Sequence, residues 1–126
     1  MMNRFMLVML GAALGGLARY IVGSVFLARY SARFPLGTVL VNLTGCLLIG
    51  ILMTLFTKQV DPNPNMRLFL VTGLLGGYTT FSSFAWESFE AIENDRAITG
   101  LLNIVLSVVL GYLAVWLGSV IARAFR

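Results

Sequence analysis

The chain contains no histidine and a single cysteine, Cys46. A transition-metal centre is therefore left without the imidazole and thiolate ligands it is usually built from. One cysteine also excludes an intramolecular disulfide. Its place inside an apolar run makes it a small packing residue. Charge is scarce as well: 11% of the 126 residues are Asp, Glu, Lys or Arg, and 59% are hydrophobic. A soluble domain carries about a quarter charged residues, so this composition cannot clothe a surface in water. The net charge of +4 comes from basic residues dispersed at the ends of apolar runs, where they anchor to headgroups. No basic patch suits nucleic acid. No phosphate-binding loop of the nucleotide-hydrolysing kind occurs, and nothing suggests an enzyme. What remains is an integral membrane protein.

A hydrocarbon core of roughly 30 Å needs about 20 helical residues to cross it. Four stretches qualify, at about 5–27, 36–57, 66–91 and 98–122. The links "ARYSARFP", "KQVDPNPN" and "ENDRA" are short, and the prolines of "DPNPN" mark a turn. Residues 1–126 thus read as one four-helix transmembrane domain, and function must lie among the helices. The N-terminal "MMNRFMLVMLGAALGGLARY" has Arg4, an apolar core and small residues near Ala18, as a secretory signal would. Its apolar pattern resumes after Arg19 with "YIVGSVFLA", so it reads as an uncleaved span.

Orientation is weakly encoded. One side would carry Arg4, Lys58, Arg67, Arg123 and Arg126, and the other Arg29, Arg33 and Arg96. Five against three is a slight bias by the positive-inside rule, compatible with insertion both ways round. "GAALG" (Gly11 to Gly15) and "GLLGG" (Gly73 to Gly77) each hold a GxxxG, which permits close helix packing. Four helices are too few to enclose a polar path, so a dimer is expected.

Several polar residues lie at depth. Arg19 either snorkels to the far interface or sits in a watery vestibule that attracts anions. Thr38, Asn42 and Gly45 share a helical face, and the Asn42 amide either ties two helices together or faces a permeant ion. Asn103, Ser107 and Gly111 form a second such face. Glu87 is the carboxylate placed deepest, as a hydrogen-bonded vestibule group or a proton-linked one.

The third stretch holds "GLLGGYTTFSSF" (Gly73 to Phe84), with three glycines, five hydroxyls and two phenylalanines spaced i, i+3. The glycine pair Gly76-Gly77 is expected to weaken the helix, and the hydroxyls to satisfy the freed groups. Broken backbone at membrane depth is tolerated where it is buried in protein or lines a cavity. Carbonyls at a break suit a hard cation. The positive ring edges of Phe81 and Phe84 can touch an anion without holding it tightly, as conduction requires.

"GTVLVNLTG" (Gly37 to Gly45), "TGLLGGYTTFSSF" (Thr72 to Phe84) and "GGLARY" resemble the small bacterial fluoride channel family, often called Fluc. The likeness covers essentially the whole chain. It implies an all-α membrane protein of four transmembrane helices, the third broken mid-span, assembled as an antiparallel dual-topology homodimer with two pores. Passive export of cytoplasmic fluoride across the inner membrane would be its function. By the resemblance, Phe81, Phe84, Asn42, Thr38, Ser83 and Ser107 line the fluoride path and Arg19 stands at its vestibule. The backbone carbonyls of Gly76 and Thr79 would hold a structural sodium ion at the dimer interface. Asn103 stands where some relatives carry tyrosine, and Gly111 where a serine can occur. Two other readings compete. A small proton-coupled multidrug exporter needs a carboxylate early in the chain, and the first span has none. A non-transporting assembly protein would use the GxxxG motifs but not Asn42, the hydroxyls and the break together.

Overall fold

The computed structural model describes residues 3–30, 34–58 and 63–125, with side chains at all of these except 26–30 and 58. Helix α1 is Arg4–Tyr30 and α2 is Leu36–Lys58. The third span is composite: α3 (Pro64–Arg67), a wide-turn π stretch (Leu68–Leu75), α4 (Gly76–Tyr78) and, past an interruption, α5 (Phe81–Glu93). The fourth span is α6, Ala97–Ala124. Four stretches are long and apolar enough to cross a bilayer: Arg4–Val25, Leu36–Thr57, Pro64–Glu93 and Ala97–Ala124. They match the expected spans to within a few residues. No strand occurs among the described residues. Arg33, Arg126 and residues 59–62, where a turn is expected, lie outside them, as do the side chains of Arg29 and Lys58.

Local chemistry sets the span ends. The Asn63 side chain accepts from the backbone N–H of Asn65 (3.0 Å) and of Met66 (3.4 Å), while Pro64 supplies the first helical residue. That is the N-cap and proline arrangement that starts helices. At the end of α5, Asp95 adopts φ 57° and the Arg96 N–H returns to the Ala91 carbonyl at 2.9 Å. This is the left-handed stop that satisfies terminal carbonyls, with Asp in the usual place of glycine.

The helices pack in two ways. Helix α1 lies against the first half of the third span, and α2 lies along α6. In the first contact a Cβ on Gly11 would stand 2.5 Å from the Phe69 carbonyl oxygen, and one on Gly77 would stand 2.5 Å from that of Ala12. A Cβ on Gly15 would strike the Leu74 carbonyl. In the second contact a Cβ on Gly50 would strike the Val115 carbonyl, and one on Gly118 the Leu47 carbonyl. Both GxxxG motifs thus serve backbone approach, as small residues do between membrane helices.

The expectation that Gly76-Gly77 breaks the third span is corrected here. Gly76 is helical, with φ −62° and ψ −37°, and no described glycine has positive φ. The break falls at Thr79 (φ −79°, ψ 157°) and Thr80 (φ −146°, ψ 117°). Its effect on packing is direct. Residues before it lie on α1, whereas α5 after it packs on α6.

Candidate functional site

The site is built around the Thr79–Thr80 break. In a continuous helix the Thr80 N–H would close on the Gly76 carbonyl. Here it donates to Asn42 Oδ1 at 2.8 Å, and Asn42 Nδ2 donates to the Thr80 carbonyl at 2.9 Å. One side chain from α2 therefore satisfies both backbone groups of the displaced residue. Thr80 also caps α5: its Oγ1 accepts from Ser83 N at 3.3 Å and donates to Ser83 Oγ at 3.0 Å. On the other side Thr79 is anchored backward, its N–H and its Oγ1 each donating to the Leu75 carbonyl at 3.0 Å. Both backbone groups of Thr80 and the N–H and hydroxyl of Thr79 thus gain specified partners, as a low-dielectric setting demands.

Two cavities meet at Thr80. One, of about 290 Å³, is lined by Asn42, Cys46, Gly76, Thr79 and Phe81 among others. The second, of about 270 Å³, is lined by Arg19, Thr38, Ser83 and Glu87, and Thr80 borders both. The structure therefore brings together seven of the nine residues expected at the site: Arg19, Thr38, Asn42, Gly76, Thr79, Phe81 and Ser83. Phe84 adjoins them through its ring, 5.6 Å from that of Phe81 and tilted by 53°. Phe81 is 79% exposed within one chain, a large ring beside polar backbone with nothing yet covering it.

Ser107 stands apart from both cavities. Its hydroxyl donates to Asn103 Oδ1 at 3.3 Å, and Asn103 Nδ2 donates to Ser88 Oγ at 2.8 Å. Ser88 in turn donates to the Phe84 carbonyl at 2.8 Å. Asn103 is 1% exposed, so this face of α6 ties α5 in place, and Ser107 reaches the site through Asn103 and Ser88.

The charged pair is separated. Arg19 Nη1 donates to the Thr79 carbonyl at 3.3 Å, while Thr38 Oγ1 donates to Glu87 Oε1 at 2.6 Å. Arg19 and Glu87 border the same cavity without an ion pair. The other carboxylate oxygen of Glu87 is buried without a hydrogen-bond partner among the described residues. Sequence reading missed Thr80 as the pivot, although a threonine just before an amphipathic stretch is an N-cap signal. It also missed the 2.9 Å contact between the Thr44 and Tyr78 hydroxyls, which no spacing rule announces.

The backbone here suits a small cation. Diversion of the Thr80 N–H leaves the Gly76 carbonyl without its helical donor, and the Thr79 carbonyl already attracts the Arg19 guanidinium while keeping a second lone pair. Both residues line one cavity. A set of neutral carbonyl oxygens is the chemistry sodium prefers.

Four membrane spans, an interrupted third helix and two cavities joined at the interruption define a polytopic membrane protein of the channel or transporter class. The chain belongs to the family described as CrcB-like protein, Camphor Resistance (CrcB), matched over residues 6–119. It is 50% identical to the "Fluoride-specific ion channel FluC" of Solibacter usitatus over 120 residues, covering 95% of this chain and 98% of that one. It is 46% identical to the protein of the same name from Rhizobium meliloti, covering 98% of each. A third protein of that name, from Acidobacterium capsulatum, is 45% identical over 95% of this chain and 96% of its own.

Proposed function

We propose that the protein is a passive fluoride-selective channel of the inner membrane, working as an antiparallel homodimer with two pores. The observation that carries this is the clamped break: an interrupted helix at membrane depth, held by Asn42, beside the Phe81–Phe84 ring pair. Lipid cannot cover exposed carbonyls, so the face bearing Phe81, Gly76 and Thr79 calls for a second copy. No more than 28% of any span's apolar window is buried within one chain, which leaves ample surface for both a partner and lipid. The slight five-to-three charge bias is compatible with insertion in both orientations.

In this reading fluoride passes along hydroxyls and ring edges. Arg19 raises the local anion concentration at the vestibule. Thr38, Ser83 and Thr80 offer hydroxyl groups between the vestibule and the break. Phe81 and Phe84 present ring edges, which bind an anion weakly enough to release it. Ser107 holds this arrangement from α6. The Gly76 and Thr79 carbonyls of two copies would together hold a structural sodium, which neutralises converging dipoles at the interface. The reading assigns no covalent chemistry to the chain; the membrane potential drives the anion outward. The test is reconstitution into liposomes with a fluoride electrode and chloride as control. Fluoride efflux without chloride efflux is expected, and equal release of the two anions would overturn selectivity.

A further inference from the structure

A third cavity, of about 390 Å³, opens at the end of the bundle away from the break and is lined by Arg4, Pro64, Arg67, Leu68 and Thr72. Arg4 is the first residue of α1, and Arg67 closes α3 at the start of the third span. Two guanidiniums from different spans therefore border one concavity. Neither has an ion-pair or hydrogen-bond partner among the described residues. The acids Glu87, Glu90, Glu93 and Asp95 lie at the opposite end of the third span, and Asp61 lies outside the described residues. Like charges facing a shared cavity repel unless an anion stands between them. Arginine also offers a planar fork suited to phosphate oxygens.

We propose that this cavity binds the phosphate of an anionic phospholipid. The placement selects lipid over a soluble anion. Both arginines sit at span ends, where headgroups lie. Their chain neighbours Phe5 and Met66 are 75% and 52% exposed, leaving apolar surface at the same span ends for acyl chains. Leu68 and Thr72 continue that wall along the third span. The ligand would brace α1 against the third span at the end remote from the break, and so hold the contact on which the break is built.

The experiment is native mass spectrometry of the intact purified protein in non-ionic detergent, with phosphatidylglycerol and phosphatidylcholine of matched chains. The parent should retain phosphatidylglycerol in preference. Arg4→Gln and Arg67→Gln should each lower that preference about fivefold, and the double variant roughly 25-fold, from the attraction typical of a basic residue near an anionic headgroup. Fluoride efflux from the same preparations checks that the variants fold and remain active, so failure of the lipid site is separable from failure of the channel reading. Inorganic phosphate serves as the soluble probe. Equal retention of the two lipids, or a preference untouched in the double variant, would overturn the proposal. Displacement of phosphatidylglycerol by millimolar phosphate would overturn the lipid as ligand and leave a soluble-anion site.

Discussion

Asn42 offers the sharpest test, because its amide performs two tasks with one group. It donates to the Thr80 carbonyl at 2.9 Å and accepts from the Thr80 N–H at 2.8 Å, and Thr80 is only 8% exposed. Asn42→Ala removes both partners at once. Leaving a buried donor or acceptor unmade costs about 1–3 kcal/mol, so the pair gives on the order of 2–6 kcal/mol. The adjoining cavity of about 290 Å³ can admit water to replace part of the loss, which places the expectation at the lower end. Asn42→Asp behaves differently. It keeps an acceptor for the Thr80 N–H but sets a carboxylate oxygen against the Thr80 carbonyl where the donor had been. It also adds a negative charge to the proposed fluoride path, where repulsion would be strong at low dielectric. Asn42→Ser loses reach but stays neutral.

Two assays separate these effects. Chemical unfolding in mixed micelles reads the clamp: Asn42→Ala should fall by about 2 kcal/mol or more. Liposome efflux reads the path: Asn42→Asp should conduct fluoride less well than Asn42→Ser. An alanine variant as stable as the parent would refute the clamp. An aspartate variant with the parent's efflux would refute a role for the amide in the fluoride path.

Phe81→Ile and Phe84→Ile should each slow or abolish efflux while the protein stays folded; normal efflux from both would remove the rings from the mechanism. Gly77→Val should destabilise the single chain, since its first side-chain carbon would meet the Ala12 backbone, whereas Gly76→Ala meets nothing nearer than 3.8 Å within the chain. Thermal unfolding of the two variants checks this, and any dimer loss confined to Gly76→Ala would report the interface. Replacing sodium by a bulky organic cation should slow efflux without coupling sodium flux to fluoride flux, measured by isotope in parallel; fluoride driven uphill by a sodium gradient would refute a channel. A C-terminal tag cysteine should be labelled from both sides of the membrane, and one-sided labelling in active protein would count against dual topology.

Much of this was legible in the sequence because membrane folding simplifies it. Span number and length follow from hydropathy and bilayer thickness. The shared face of Thr38, Asn42 and Gly45 follows from helical period, and all three do turn toward the third span: Thr38 to Glu87, Asn42 to Thr80, and Gly45 against Thr79. The position of the break did not follow. Glycine propensity pointed to Gly76-Gly77, but in lipid an unsatisfied backbone is more costly than a flexible one, so the chain breaks where partners exist. Asn42 and the Thr80 hydroxyl supply them, and Asn42 is 38 residues away along the chain. The glycines answer a different need, the approach of α1. The π stretch over Leu68–Leu75 carries no sequence signal that we can name. The shared face of Asn103 and Ser107 follows from helical period, yet the route from Ser107 through Asn103 to Ser88 depends on how α5 turns after the break.

That turn links fold to function. Before Thr79 the third span is committed to α1 by interlocked glycines, and after Thr80 it is committed to α6 by the buried Asn103–Ser88 bond. The interruption thus lies between two anchored segments. The clamp by Asn42 then decides which groups remain unused. It takes the N–H and the carbonyl of Thr80, and it leaves the Gly76 carbonyl without its helical donor and part of the Thr79 carbonyl unused, at two residues that line one cavity. Those oxygens cannot face hydrocarbon. A second copy that covers them would also cover the exposed ring of Phe81, since Phe81 borders the same cavity. In the proposed reading, one interrupted junction would thus create the cation site, the need for a partner and the ring-lined path together. Weakening any of its three ties, at Gly77, Asn103 or Asn42, should be felt at the other two.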